Sequence, residues 1–117
     1  MSKQRAKGTR AESALVSYLL AAGYQGARRR PPAGSADLGD IDWVDGVTTE
    51  VKSVRQPRYG EWLREAEKER SNAGTDIGIV VHKPHGTSID DVGNWHVIMT
   101  LDTLLLLMEH KVDGASG

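Results

Sequence analysis

The stretch Gly39-Asp40-Ile41-Asp42-Trp43-Val44-Asp45-Gly46-Val47-Thr48-Thr49-Glu50-Val51-Lys52 decides how this chain of 117 residues is read. Apolar and polar residues alternate on both sides of Asp45-Gly46, the pattern of a β-hairpin. Two registers compete. A two-residue turn pairs Asp40 with Val51 and mixes Ile41 and Trp43 with Glu50 and Lys52. A three-residue loop, Val44-Asp45-Gly46, with Gly46 in the left-handed region, instead pairs Trp43 with Val47 and Asp40 with Glu50. It puts Ile41, Trp43, Val47, Thr49 and Val51 on one face and Asp40, Asp42, Thr48, Glu50 and Lys52 on the other. The second register is preferred because it gives one apolar side and one polar side.

Outward from the hairpin, residues 28 to 39 are rich in Arg, Pro, Gly and Ser and read as a loop. Before it, Thr9 and Glu12 form a capping-box pattern that starts a helix reaching Gly23, with Leu15, Tyr18, Leu19 and Ala22 on one face. Residues 1 to 8 then read as a flexible basic arm. After the hairpin, residues 59 to 73 are helical in pattern, with Trp62, Leu63, Ala66 and Ala73 inward and Gly74 at the end. Ile77 to His82 reads as a buried strand and Trp95 to Thr100 as another. Thr100 caps a last helix running to about Lys111, and residues 113 to 117 read as a disordered tail. The order predicts a single α/β domain over residues 9 to 112, a mixed central sheet flanked by helices.

Composition bounds the function classes. Hydrophobic residues make up 38% and charged residues 26%. No apolar run approaches the roughly 18 residues that span a bilayer. The charged start lacks the apolar core of a secretory signal, which gives a cytoplasmic location as the expectation. There is no cysteine, which excludes disulfides, thiolate nucleophiles and Cys-based zinc sites. The net charge is only −1, but the charges are sorted. Lys3, Arg5, Lys7, Arg10, Arg28, Arg29 and Arg30 face the single acid Glu12 within the first thirty residues. Asp37, Asp40, Asp42, Asp45 and Glu50 then follow without a base. Sorted charge of this kind serves a polyanion and a metal side by side; the alternative is a solvated basic arm followed by a polar loop.

The chemistry lies in Asp40, Glu50 and Lys52. Directly opposed Cβ atoms stand roughly 4.5 to 5.5 Å apart, so Asp40 and Glu50 can share a divalent cation. Carboxylates alone favour hard ions, Mg²⁺ first and Mn²⁺ as its substitute. Such an ion would polarise a phosphodiester oxygen and activate water, while Lys52 stabilises transition-state charge. Glu12 either completes the capping box or points at the sheet edge near the metal. Asp37 and Asp42 are rival ligands. The alternative for the hairpin is a surface ion pair of Glu50 and Lys52. His82 reads as a structural histidine, and His85, His96 and His110 form no ligand spacing.

These motifs resemble the Holliday junction resolvases of the archaeal type and their bacteriophage relatives, within the PD-(D/E)xK nuclease superfamily. The resemblance runs from Lys7-Gly8 and Glu12 through Gly23-Tyr24, Arg28-Arg29-Arg30 and Gly39-Asp40-Ile41 to Glu50-Val51-Lys52-Ser53. It continues through Trp62 to Glu67 and Gly78 to Lys83, covering nearly the whole chain. It implies a restriction-endonuclease-like core, a metal held by Asp40, Glu50 and the Val51 carbonyl, Lys52 as catalytic lysine and Glu12 as a helix-borne acid. Arg28, Arg29 and Arg30 then lie near the DNA backbone. In archaeal members the first acid stands farther from the Glu, a spacing that selects Asp37; the phage-like Gly-Asp-Ile selects Asp40. The family further implies a homodimer, since two strands are cut symmetrically.

Three functions follow as expectations: a metal-dependent endonuclease of four-way junctions, active in the host cytoplasm if phage-encoded; the same chemistry on flaps, nicks or duplex; or a non-catalytic DNA-binding module. Lys7, Arg10 and Arg55, with Lys3, Arg5, Arg58 and Lys83, are candidate phosphate contacts on branched DNA. Leu104 to Leu107 reads as buried core, with a dimer interface as the alternative.

Overall fold

The structure, a computed structural model, describes residues 3–31 and 37–116, without the side chains of residues 3–7 and 110–116. Three helices and five strands follow in the order α1 (Lys3–Ala21), β1 (Arg28–Arg29), β2 (Ile41–Asp42), β3 (Val47–Lys52), α2 (Tyr59–Ala73), β4 (Ile77–His82), β5 (His96–Ile98) and α3 (Leu101–Ser116). The fold is α/β, with the strands in the spatial order β1-β2-β3-β4-β5. Every neighbouring pair is antiparallel except β3 and β4. Parallel neighbours need a long crossover, and α2 supplies it.

The hairpin has the three-residue loop. Ile41 stands opposite Thr49, the register in which Asp40 meets Glu50. Gly46 has φ +83°, a left-handed value that only glycine adopts without strain, and the Val47 amide donates to the Val44 carbonyl to close the loop. Because side chains alternate along β3, each face meets a different helix. Val51 and Ile41 join Ala11 and Leu15 of α1, with Ile77, Ile79, Val81 and Trp95, in one buried cluster. On the other face Val80 packs against Trp62 and Ala66 of α2. Removing Ile41 or Val80, 1% and 0% exposed, costs on the order of 2–5 kcal/mol per side chain cut to alanine.

Several expected boundaries shift. The first helix begins at Lys3 rather than Thr9, so the residues expected as a flexible arm are helical from Lys3 onward. Lys, Gln, Arg and Ala are good helix formers, and Gly8 opposes them by only about 1 kcal/mol. Thr9 is therefore inside the helix and the capping box with Glu12 does not form. Arg28–Arg29, placed in a loop by the sequence, pairs with β2; residues 32–36 of that loop lie outside the described residues. The last helix continues to Ser116, past Lys111 and into the expected tail, since nothing between them forbids helix. Gly117 lies outside the described residues. Its start is as expected, with Thr100 Oγ1 accepting from the Thr103 amide at 3.1 Å. Leu104, Leu105 and Leu106 are not buried core: they are 43%, 53% and 37% exposed. Leu107 alone of the four packs on the α1-side cluster, because one helix face is all the sheet can cover.

Candidate functional site

The polar face of the hairpin is covered, and α2 covers it. Glu50 and Lys52 point from β3 at a helix that presents Glu65 and Glu69. Glu69 lies three residues after Ala66 and seven after Trp62, the inward stripe of α2, and is 2% exposed. Gly78 lets this helix sit close: a Cβ there would meet the Ala66 carbonyl oxygen at 2.9 Å.

Asp37, Glu50 and Glu69 each bring one carboxylate oxygen to within 4.8 Å of the others. Two oxygens on one Mg²⁺, each about 2.0–2.1 Å away, stand at most about 4.2 Å apart, so only a slight closure separates this group from a coordination set. Glu50 Oε2 and Glu69 Oε2 are buried without a hydrogen-bond partner. Buried acceptors are almost always satisfied, and these two oxygens would be satisfied either by a proton shared between the carboxyls or by a hard divalent cation. This group of carboxylates could hold Mg²⁺ or Mn²⁺.

Asp40 adjoins this set with one oxygen already engaged. Its amide donates to the Thr49 carbonyl at 2.8 Å, and its Oδ2 accepts from the Val51 amide at 2.8 Å. The acid thus extends the ladder past the end of β2 with its side chain. In a ladder, a residue's N–H and C=O face the same neighbour, so the Val51 carbonyl turns toward Asp40 as well. Of the two first-acid alternatives, Asp37 enters the three-oxygen group and Asp40 borders it. Asp42 enters neither, being ion-paired to Arg28 at 3.2 Å and Arg30 at 3.1 Å.

Crowded acids of this kind hold protons. Burial pushes Glu50 up to about 11, helped by the neighbouring carboxyl of Glu69 and the charge of Asp40. Glu69 rises to about 7, again chiefly by burial. Asp40 is also raised by burial, against the pull of the Val51 amide and Glu50. Burial alone would lower Lys52, but its hydrogen bond to Glu65 at 2.8 Å and the charges of Glu50, Glu65 and Asp40 outweigh that and raise it. Its Nζ stands 3.8 Å from Glu50 Oε1. Lys52 is a firm cation, suited to holding negative charge rather than to taking a proton.

Glu12 reaches the sheet edge from α1. It pairs with Arg29 at 3.1 Å, and burial followed by the charge of Asp40 raises it above the ordinary carboxylate range. Arg28, Arg29 and Arg30 are thus all bound to acids. Arg10 and Arg55 are exposed, and the Lys7 side chain lies outside the described residues. His82 is the structural histidine expected: 3% exposed, packed on Trp62, its Nε2 donating to the Val54 carbonyl at 3.2 Å. Sequence reasoning missed Glu65 and Glu69. The signal for Glu69 was present, an acid at the position between Ala66 and Ala73 where the inward stripe calls for an apolar residue.

No helix among the described residues is long and apolar enough to cross a membrane. Compared with known proteins, the chain matches no family model, no curated protein and no solved structure.

Proposed function

We propose that the protein is a metal-dependent, structure-selective DNA endonuclease of the PD-(D/E)xK type, with four-way junctions as its substrate. The observation that carries this reading is the pair of orphaned carboxylate oxygens on Glu50 and Glu69, grouped with Asp37 and lying beside a firmly protonated Lys52. A sheet of five strands with α1 and α2 on opposite faces is compatible with a restriction-endonuclease-like core. The nucleus Gly39-Asp40-Ile41, Glu50-Val51-Lys52 has the register such a site requires.

Asp37, Glu50 and Glu69 would hold the Mg²⁺, with Asp40 and the Val51 carbonyl at its margin. A divalent cation there supplies Lewis-acid charge against a phosphodiester oxygen. The remaining work falls to the chain. Lys52 leaves Glu65 to meet the charge that accumulates on the phosphoryl oxygens, where a fixed donor in a half-buried site counts for more than in water. The Val51 amide fixes Asp40, which in turn keeps Glu50 in place. Glu12 and Arg29 brace the sheet edge, and Arg28, 67% exposed, can exchange Asp42 for a DNA phosphate. A homodimer would present two such sites to the two strands of a junction. The exposed stripe Leu101, Leu104, Leu105 and Met108 on α3 supports that assembly.

The test is a panel: a mobile four-way junction, a flap and a linear duplex, each incubated with the protein in Mg²⁺ or in EDTA. Paired symmetric nicks confined to the junction and lost in EDTA are expected. Cutting of flap or duplex would keep the chemistry and change the substrate, and binding without cleavage in any metal would leave a DNA-binding module.

A further inference from the structure

Beyond β3 and β4 the chain builds a second feature on the opposite face of the sheet. Thr48, Glu50 and Lys52 face α2, so Ser53 faces α1, as Val51 does. In β4, Val80 and His82 face α2, so Lys83 also faces α1. Arg10 of α1, Ser53 and Arg55 after β3, and Lys83 and His85 after β4 line a cleft of about 330 Å³ there, with Val54 and Ile89. Among the described residues no acid lines it, and Arg10, Arg55 and Lys83 form no ion pair, although the other side of the same sheet is crowded with carboxylates.

The walls are held in place. The Lys83 amide donates to the Lys52 carbonyl at 2.9 Å, which continues the parallel ladder by one step. His82 Nε2 ties the Val54 carbonyl to β4, and Trp95 Nε1 ties the Ser88 carbonyl at 3.2 Å behind Ile89. Three cations, an imidazole and a hydroxyl therefore converge on a pre-formed hollow at the C-terminal ends of two parallel strands, where open α/β sheets bind their ligands. Charges of one sign gathered in a concave surface focus their field on an anion. Val54 and Ile89 add an apolar shoulder that suits a sugar.

We infer that this cleft binds a phosphate of the nucleic-acid strand other than the scissile one, so that the bound strand crosses the end of β3 from the acidic face to the basic face. The inference rests on the nuclease reading for the polymer it names, while the anion chemistry stands on the cleft alone. Consecutive residues Lys52 and Ser53 serve the two phosphates from opposite sides of one strand end. The cleft thus sets affinity and path, whereas the acids set the chemistry.

Equilibrium binding of a fluorescent four-way junction in EDTA, measured across a salt series, tests it. Arg55→Ala with Lys83→Ala should reduce the slope of log affinity against log salt by about 0.9, the value for one phosphate charge no longer neutralised. Arg55→Lys with Lys83→Arg should restore it, and Lys68→Ala, an exposed cation of α2 outside the cleft, should leave it at the wild-type value. Inorganic phosphate and a 5′-phosphorylated mononucleotide, titrated alone, serve as the free-phosphate arms. A wild-type slope in the double alanine variant overturns the inference, as does tight binding of a free phosphate in the cleft that leaves the slope unchanged by the double substitution. A protein that cuts nothing but shows the slope change would sink the nuclease reading and keep the cleft; cleavage with an unchanged slope would do the reverse.

Discussion

Glu69 is a residue on which the metal-free protein loses stability. Its carboxylate is 2% exposed with one oxygen unpartnered, an arrangement that costs about 1–3 kcal/mol when no cation satisfies it. Glu69→Gln should therefore raise the melting temperature of the metal-free protein while removing the rise that Mg²⁺ gives the wild type. A lower metal-free melting temperature would mean that the acid is structural. The same crowding fixes the pH dependence. Glu69 and Glu50 have folded values raised to about 7 and about 11, above the ordinary value of about 4.3. The stability they give is fully present below that ordinary value and is lost as pH rises through the folded values. His82 works in the opposite sense. Burial lowers it, so it costs stability only as pH falls below about 6.5. Between about pH 7 and 9 the metal-free melting temperature should fall, and saturating Mg²⁺ should abolish the fall; a flat metal-free profile would contradict the burial of these acids.

At the level of elements, the hairpin and α2 together make the site, and their legibility in the sequence differed. The register of β2 against β3 could be read because only one loop length separates apolar from polar residues, and Gly46 supplies the backbone that loop needs. The covering of the polar face could not. Acids on α2 look alike in sequence, and nothing local separates the buried Glu69 from the exposed Glu67 and Glu61 except its place on the stripe. Glu12 was legible as an acid near the sheet edge, but the helix start was not, because propensity alone carries the helix back to Lys3. The close approach of α2 to β4 has its own prediction. Gly78→Ala drives a Cβ to 2.9 Å from the Ala66 carbonyl oxygen and 3.2 Å from Arg70 Cβ, so α2 must move and Glu69 with it. Denaturant unfolding should show a loss of about 1–3 kcal/mol, and a Mn²⁺ titration should show weakened binding. Wild-type values in both would mean that the helix position does not matter to the acids.

For the whole molecule, the two faces of the sheet differ in charge, with Glu50, Glu69 and Lys52 on the α2 side and Arg10, Arg55 and Lys83 lining the cleft on the α1 side. The third helix leaves Leu101, Leu104, Leu105 and Met108 exposed along one stripe, and Val97 of β5 is 51% exposed. Surfaces of this kind mark association. Sedimentation should find a dimer for the wild type and a monomer for Leu101→Glu with Leu105→Glu; a monomeric wild type would remove the paired-site geometry. In the sequence this leucine run reads as core rather than interface, because four consecutive leucines circle a helix and only the sheet's reach decides which are covered. Central to the account is that the grouped acids and Lys52 cut a phosphodiester. The most direct measurement is single-turnover cleavage of a four-way junction in Mg²⁺ by the wild type, Glu50→Ala and Lys52→Ala, with junction affinity measured alongside. The account predicts rates lower by at least about 10²-fold in both variants at nearly unchanged affinity. Cleavage by either variant at the wild-type rate would contradict it.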